Sequence, residues 1–265
     1  MDYLTILLYG VIQGVTEFLP VSSSGHLALL PQILDFKDPG VAFDLWLHVG
    51  TALAVIVYFY KDLIPLIKVV PFVFSKNGDQ KQKYRLLNFF TASLTTLILV
   101  LAIKGPAEVI GRNPLMISLN LIIFGAILWW SDRSSLEKKD LTFDKNKVKY
   151  AFFIGLFQAF AVFPGVSRSG ITITMARFMG VSKKEAANFS FILSLPIILG
   201  GALLKSRELS SDFNWTMMVT ALLVSFLVGI FSIHFFLKII QRMGLGVFFI
   251  YRVILGLVVL GMFYF

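Results

Sequence analysis

The sequence predicts an all-α integral membrane protein: an inverted-topology repeat with six transmembrane helices plus two re-entrant helical hairpins. Three observations carry that prediction. The 265 residues are 57% hydrophobic and only 15% charged, with a mean hydropathy of +0.81, well above that of a water-soluble domain. Six apolar runs are long enough to cross a hydrocarbon core of about 30 Å. Two further apolar stretches are each interrupted by a cluster of Pro, Ser and Gly, and the two interruptions resemble one another.

The chain reads as a single membrane domain, 1–265. Its opening, "MDYLTILLYG", has no basic leader and runs into Glu17 and Pro20 rather than a small-residue cleavage site, so it is expected to belong to the fold. The first hairpin is expected over 3–35, broken by "FLPVSSSGH". The six spans are Val41 to Tyr60, Leu86 to Ile103, Leu115 to Trp130, Ala186 to Leu204, Trp215 to Leu237 and Gly246 to Phe265. The second hairpin is expected over 150–182, broken by "FPGVSRSG".

Orientation follows from the basic residues. The connections Lys61 to Arg85 and Arg133 to Lys149 carry six Lys/Arg each, and Lys183, Lys184, Lys238 and Arg242 bring the total on that side to sixteen, against five on the other. The positive-inside rule makes the richer side cytoplasmic. The first hairpin then dips in from outside and the second from inside.

An internal repeat explains the pair. Gln13 to Gly25 over Gln158 to Gly170 sets QGVTEFLPVSSSG against QAFAVFPGVSRSG, sharing Gln, Phe, Val, Ser, Ser and Gly without a gap at an offset of 145. At offset 146, "FDLWLHVGTAL" falls on "FSFILSLPIIL". Repeat 1 therefore covers about 1–133 and repeat 2 about 150–265. Each holds one hairpin and three spans, an odd number, so the second is inserted upside down relative to the first. Such folds gather their sites near the midplane, where half-helix N-termini point at anionic groups.

The two interruptions hold the chemistry. Gln13 and Glu17, four apart, project from one helix face. Pro20 ends that helix, and Ser22, Ser23, Ser24 and Gly25 read as the cap of a second half-helix carrying His26 in its first turn. Pro164 and Gly165 break the other segment, and Ser167, Arg168, Ser169 and Gly170 cap its continuation. Helix starts with free N–H groups and hydroxyls suit anions. Arg168 occupies the place of Ser23, while Glu17 faces Val162, so the acid lies in one copy and the fixed cation in the other. A guanidinium can grip phosphate oxygens while a carboxylate and a histidine handle protons. The structural alternative is a buried Glu17–Arg168 ion pair joining the halves, and Ser24 and Ser169 could be caps alone. Asp44 and His48 either line the same cavity or, by default, pack and cap the next span. His234 reads as structural. Arg177 is either a second phosphate contact or, by default, reaches the inner face near Lys183.

There is no cysteine, so disulfides, thiolate metal sites and thiol nucleophiles are excluded. The net charge of +9 lies in loops between apolar spans, where it sets topology and meets anionic lipid rather than nucleic acid. Two functions fit the residues: an intramembrane enzyme acting on a phosphate delivered from the bilayer, and a proton-coupled transporter or flippase for an anionic phosphate, with Glu17 or His26 carrying the proton.

The segment "QGVTEFLPVSSSGH" together with "PGVSRSG" resembles the two signature motifs of the bacterial undecaprenyl-pyrophosphate phosphatase family, the bacitracin-resistance type. "LHVGTALAVIVYFY", "ANFSFILSLPIILGG" and "FFIYRVILG" extend the likeness along the whole chain. The resemblance implies removal of the terminal phosphate of undecaprenyl pyrophosphate, which regenerates the lipid carrier for cell-wall polymers in the bacterial cytoplasmic membrane; the topology above, with the first hairpin dipping in from outside, puts the site on the outer side. It implies Glu17, Ser23, His26 and Arg168 as catalytic residues. Gln13, Ser22, Ser24, Gly25, Ser167, Ser169 and Gly170 would bind substrate. Many relatives have Glu where this chain has Gln13, which puts a two-carboxylate scheme in doubt. A divalent cation, Mg2+ or Ca2+, would arrive bound with the pyrophosphate, with no metal site built by the protein. Membrane lipids are the expected surroundings, and a homodimer is left open.

Overall fold

A computed structural model describes residues 3–73, 78–110, 112–135, 148–205 and 214–264. Among these, α1 (Tyr3–Thr16) and α2 (Ser23–Ile33) precede α3 (Val41–Tyr58), α4 (Tyr60–Val69), α5 (Gln80–Ile110) and α6 (Pro114–Ser134). Then come α7 (Val148–Gln158), α8 (Arg168–Phe178), α9 (Lys183–Lys205), α10 (Trp215–Ile239) and α11 (Gly246–Tyr264). All six expected spans are helices of sufficient length and apolarity to cross a membrane: α3, residues Gln80–Ile103 of α5, α6, α9, α10 and α11. The protein is a multi-pass membrane protein.

The composition of α10 explains why such helices sit as they do. Ala221, Ser225, Gly229 and Ile233 recur every fourth residue and are buried, whereas Leu223, Leu227, Phe231 and Phe235 recur at the same interval and are exposed. Small residues let the neighbouring backbones approach, and the large apolar stripe is left for lipid. The basic connection Lys61 to Arg85 is more ordered than the loop the sequence suggests, because it contains α4 and a 3-10 turn at Val70–Phe72. Leu66 and Val69 of α4 pack with Leu86 of α5, which gives that amphipathic stretch a dry face to fold on. Most of the second basic connection, and Arg207, fall outside the described residues.

The two interrupted stretches are helix, break, helix. With 14 and 11 residues, α1 and α7 rise about 21 and 17 Å, less than the hydrocarbon thickness. Their packing is crossed between the halves: α1 lies on α10, α7 on α5, α3 against α9, and α6 against α11. Glycines 145 positions apart permit the first two contacts. A Cβ on Gly10 would meet Val224 and the Ala221 carbonyl of α10, and one on Gly155 would run into the Ala92 carbonyl of α5.

The breaks share backbone detail. Ser22 and Ser167 both sit at φ 73°, a region that costs a non-glycine residue on the order of 1–2 kcal/mol. Each then caps the following helix, accepting from Gly25 N and Gly170 N respectively. The caps are therefore Ser22 and Ser167, whereas the hydroxyl of Ser169 is spent on the Leu19 carbonyl at 3.1 Å. Gly165, at φ 92°, is closed to any other residue, because a Cβ there would strike the Ile117 carbonyl of α6.

Candidate active site

The chain reverses at the end of α1 because Pro20 cannot continue a helix. That leaves Glu17 as the last hydrogen-bonded position, its N–H on the Gln13 carbonyl. α2 begins at Ser23 and α8 at Arg168, so these two side chains each stand at the first residue of a half-helix. The two breaks touch: Ser22 Oγ accepts from Gly165 N at 3.0 Å while still capping α2. Backbone N–H groups in the first turn of a helix have no acceptor within it. Here two such turns converge.

Glu17 is 5% exposed, and both its oxygens are engaged. Oε1 accepts from Arg168 Nη2 at 2.6 Å. Oε2 accepts from Ser23 Oγ at 2.5 Å and Gln13 Nε2 at 3.1 Å, and lies 3.2 Å from His48 Nε2. Arg168 is steadied by donating from Nη1 to the Ser190 carbonyl of α9 at 3.0 Å. The acid of one copy and the cation of the other thus form an ion pair, as the structural alternative anticipates, but that pair also holds a serine hydroxyl. A carboxylate accepting from a hydroxyl at 2.5 Å is positioned to take its proton.

His26 is not brought onto Glu17 or Ser23. Its Nδ1 faces the Ser22 carbonyl at 2.8 Å and its Nε2 the Tyr251 hydroxyl at 2.7 Å, the two rings stacked with centroids 5.8 Å apart. A carbonyl only accepts, so Nδ1 carries the hydrogen and Nε2 accepts from Tyr251. His48, assigned by default to packing, is the histidine that meets Glu17. Asp44 does act structurally: its carboxylate pairs with Arg112, which also grips Asp38. Arg177 does not reach the surface. It is 2% exposed, with Nη2 3.2 Å from Asp132 and Nη1 donating to the Val181 carbonyl, and Lys183 shares the same carboxylate. Ser24 Oγ lies 3.4 Å from Ser22 Oγ, and Ser167 Oγ 3.3 Å from Ser169 Oγ.

Arg252 of α11, to which the sequence attaches no role, is fully buried and binds both breaks. It donates to the carbonyls of Pro20, Gly165 and Val166, at 3.2, 2.7 and 3.1 Å, and to Leu121 and Asn120 of α6. Asn120 adds a bond to the Pro164 carbonyl. The arginine stands out in the sequence as a charge within an apolar span. That is the signal by which it could have been found.

A resident divalent cation does not fit here. Such ions want several oxygen ligands, whereas Glu17 is surrounded by the N–H donors of Arg168, Gln13 and His48, and its own oxygens are committed to them.

A helical membrane protein in which a buried acid, a hydroxyl and a guanidinium meet at two helix starts belongs, by class, with proteins that handle anionic groups inside the bilayer. Residues 6–258 match the family model described as "Bacitracin resistance protein BacA", and the chain belongs to that family. Over 98% of both chains it is 40% identical to a protein of Alcanivorax borkumensis named undecaprenyl-diphosphatase. It is 39% identical to one of Aliivibrio salmonicida with the same name, over 97% of this chain and 96% of the other.

Proposed function

We propose that this protein removes the terminal phosphate of undecaprenyl pyrophosphate and returns undecaprenyl phosphate to use as a lipid carrier. The observation that carries the proposal is the Ser23–Glu17–Arg168 contact at the meeting of two helix N-termini. Its chemical demand matches the names of its relatives.

The terminal phosphate enters between the starts of α2 and α8, and its oxygens draw Arg168 from Glu17. The guanidinium and the first-turn N–H groups then hold the charge that spreads over the phosphoryl oxygens in the transition state. Ser23 Oγ attacks phosphorus while its proton passes to Glu17 Oε2. The bridging P–O bond breaks, its electron pair leaving with undecaprenyl phosphate, and Glu17 gives the proton up to solvent. Water then attacks the phosphoserine, and Glu17 accepts a proton from the water and delivers it to Ser23 Oγ. His26, fixed by Tyr251, holds the first turn of α2 through the Ser22 carbonyl. Gln13, Ser22, Ser24, Gly25, Ser167, Ser169 and Gly170 complete the cradle. Magnesium or calcium accompanies the pyrophosphate as part of the substrate.

An apolar cavity of about 250 Å³ beside the second break suits the prenyl chain. Met116, Phe124, Phe160, Phe163 and Val166 line it, and Val166 stands two residues before Arg168.

The same reading makes the two broken segments re-entrant hairpins of an inverted repeat, entering from opposite faces of the bacterial cytoplasmic membrane. The short α1 and α7 and the crossed packing of the halves support it. The site then opens outward, where the pyrophosphate is released. The matched hairpins also favour a second activity, inward movement of the monophosphate. Phosphate release by sealed vesicles with no lipid movement would eliminate that activity.

Purified protein in detergent, given a C55 or shorter prenyl pyrophosphate, tests the main proposal. Arg168→Ala is expected to lower phosphate release by about 10²–10³-fold, the loss usual for one transition-state donor, and Glu17→Gln by a comparable factor. Undiminished release from Arg168→Ala refutes the clamp. A parent protein that releases no phosphate refutes the phosphatase reading.

A further inference from the structure

We propose that His48 is a positioning residue for the proton-transfer step: held in its cationic form, it keeps Glu17 aimed at Ser23 after substrate has drawn Arg168 away. This rests on the reading above, in which Glu17 takes the proton of Ser23.

Both ring nitrogens of His48 are engaged. Nδ1 of His48 is 2.6 Å from the backbone carbonyl of Asp44, one turn back on α3. A carbonyl has no hydrogen to give, so the hydrogen is on Nδ1. Nε2 then faces Glu17 Oε2 at 3.2 Å. Two lone pairs would repel at that distance, so a proton lies between them and the ring is an imidazolium donating to a carboxylate. Thr51 fixes the same turn by donating to the His48 carbonyl at 2.9 Å, and it accepts from Gln13 Nε2 at 3.4 Å. The ring is therefore locked at one end by its own helix and presents a single donor to the acid at the other.

Position gives this donor its work. In the resting site Glu17 lies between two cations, Arg168 on Oε1 and His48 on Oε2. Only Arg168 begins a half-helix at the cradle, so only Arg168 can leave for the phosphate. Without a second partner, the buried carboxylate would stand uncompensated at the moment it must accept from Ser23. His48 stays, on the same oxygen that receives the Ser23 proton. The charged groups around the ring are Glu17 beyond α1, Arg168 on α8, and on its own helix Asp44, neutralised by Arg112. From α10 the neighbour is neutral, Ser225 donating to the Leu47 carbonyl, and from α9 it is Ser190, whose carbonyl takes Arg168.

The sign of the pH effect follows. The imidazolium is lost as pH rises, and with it the donor to Oε2, so turnover should fall on the alkaline side. His48→Gln keeps an N–H that can reach Glu17 but does not titrate. The experiment is rapid-quench measurement of phosphoserine formation at Ser23, from pH 5.5 to 9, with a short prenyl pyrophosphate and the parent, His48→Gln and His48→Ala proteins. His48→Ala is expected to slow phosphoserine formation about 100-fold, the scale of a misaligned reacting group, with KM little changed. His48→Gln should recover to within about tenfold of the parent at neutral pH and lose the alkaline fall. Superimposable pH profiles for parent and His48→Gln, with a normal parental burst, overturn the assignment to His48 alone. A parent that forms no phosphoserine, alongside a Ser23→Ala protein that still releases phosphate, overturns both this assignment and the serine mechanism beneath it.

Discussion

The break around Ser22 and the break around Ser167 share one backbone and differ in their chemistry. Both place a serine at φ 73°, both cap the next helix with it, and both follow with a glycine whose N–H donates to the cap. They diverge at the next position, the first residue of the half-helix, which is Ser23 in one copy and Arg168 in the other. They diverge again at Glu17, which has Val162 for its counterpart. The shared part is conformational and its cost is carried twice. The divergent part is a serine hydroxyl and an acid facing a fixed cation, an arrangement no symmetric pair could provide.

The largest expected effect lies where the copies differ most. Ser23→Ala should lower phosphate release by about 10³-fold or more, since a nucleophile and its proton are both removed. Ser24→Ala, one residue on, should retain most activity, and single-turnover phosphate release distinguishes the two. Equal losses at both positions would refute Ser23 as the nucleophile. Next comes Arg252, which binds both breaks, the first through the Pro20 carbonyl and the second through those of Gly165 and Val166. Arg252→Met strips hydrogen bonds from buried carbonyls in both breaks, at roughly 1–3 kcal/mol for each group left unsatisfied. Thermal unfolding in detergent should shift down by several degrees, and prenyl pyrophosphate should no longer raise the midpoint. Smallest is Tyr251→Phe, which touches only the first copy. It removes one hydrogen bond to His26 Nε2, worth about 1 kcal/mol, so release should fall less than about tenfold and the unfolding midpoint should move less than for Arg252→Met.

Much of this was legible in the chain. The six spans were readable because each is a long apolar run with few charges, and nothing in the packing needed to be known. Pro20 and the Pro164–Gly165 pair announced the breaks, since one lacks an N–H and the other holds a backbone angle only glycine tolerates. The serine caps followed from the same local chemistry, although the chain does not say which serine in each run is the cap; that depends on which one adopts the left-handed angle.

What could not be read was long-range register. His48 meets Glu17 because α3 packs beside α1 with one particular rotation about its axis, set by buried residues such as Phe43 and Leu47 against Tyr9 and Ile6. No local pattern encodes that rotation. His26 looked the better partner because it is near Glu17 in sequence, yet α2 turns it toward α11, where Tyr251 waits. The helix α4 is hard to read from the sequence because Pro65 falls inside it and Lys61, Asp62 and Lys68 give it the look of a charged connection.

The carbonyl clamp made by Arg252 also bears on how the protein is made. The two breaks precede Arg252 in the chain, but the guanidinium that binds both of them rides on α11, the last of the described helices. Until that helix enters the membrane, the carbonyls of Pro20, Gly165 and Val166 lack its donors, and the two breaks rely on their direct contacts, Ser22 to Gly165, Ser169 to Leu19 and Glu17 to Arg168. The register of the two half-helix starts is therefore complete only once α11 has joined the other helices.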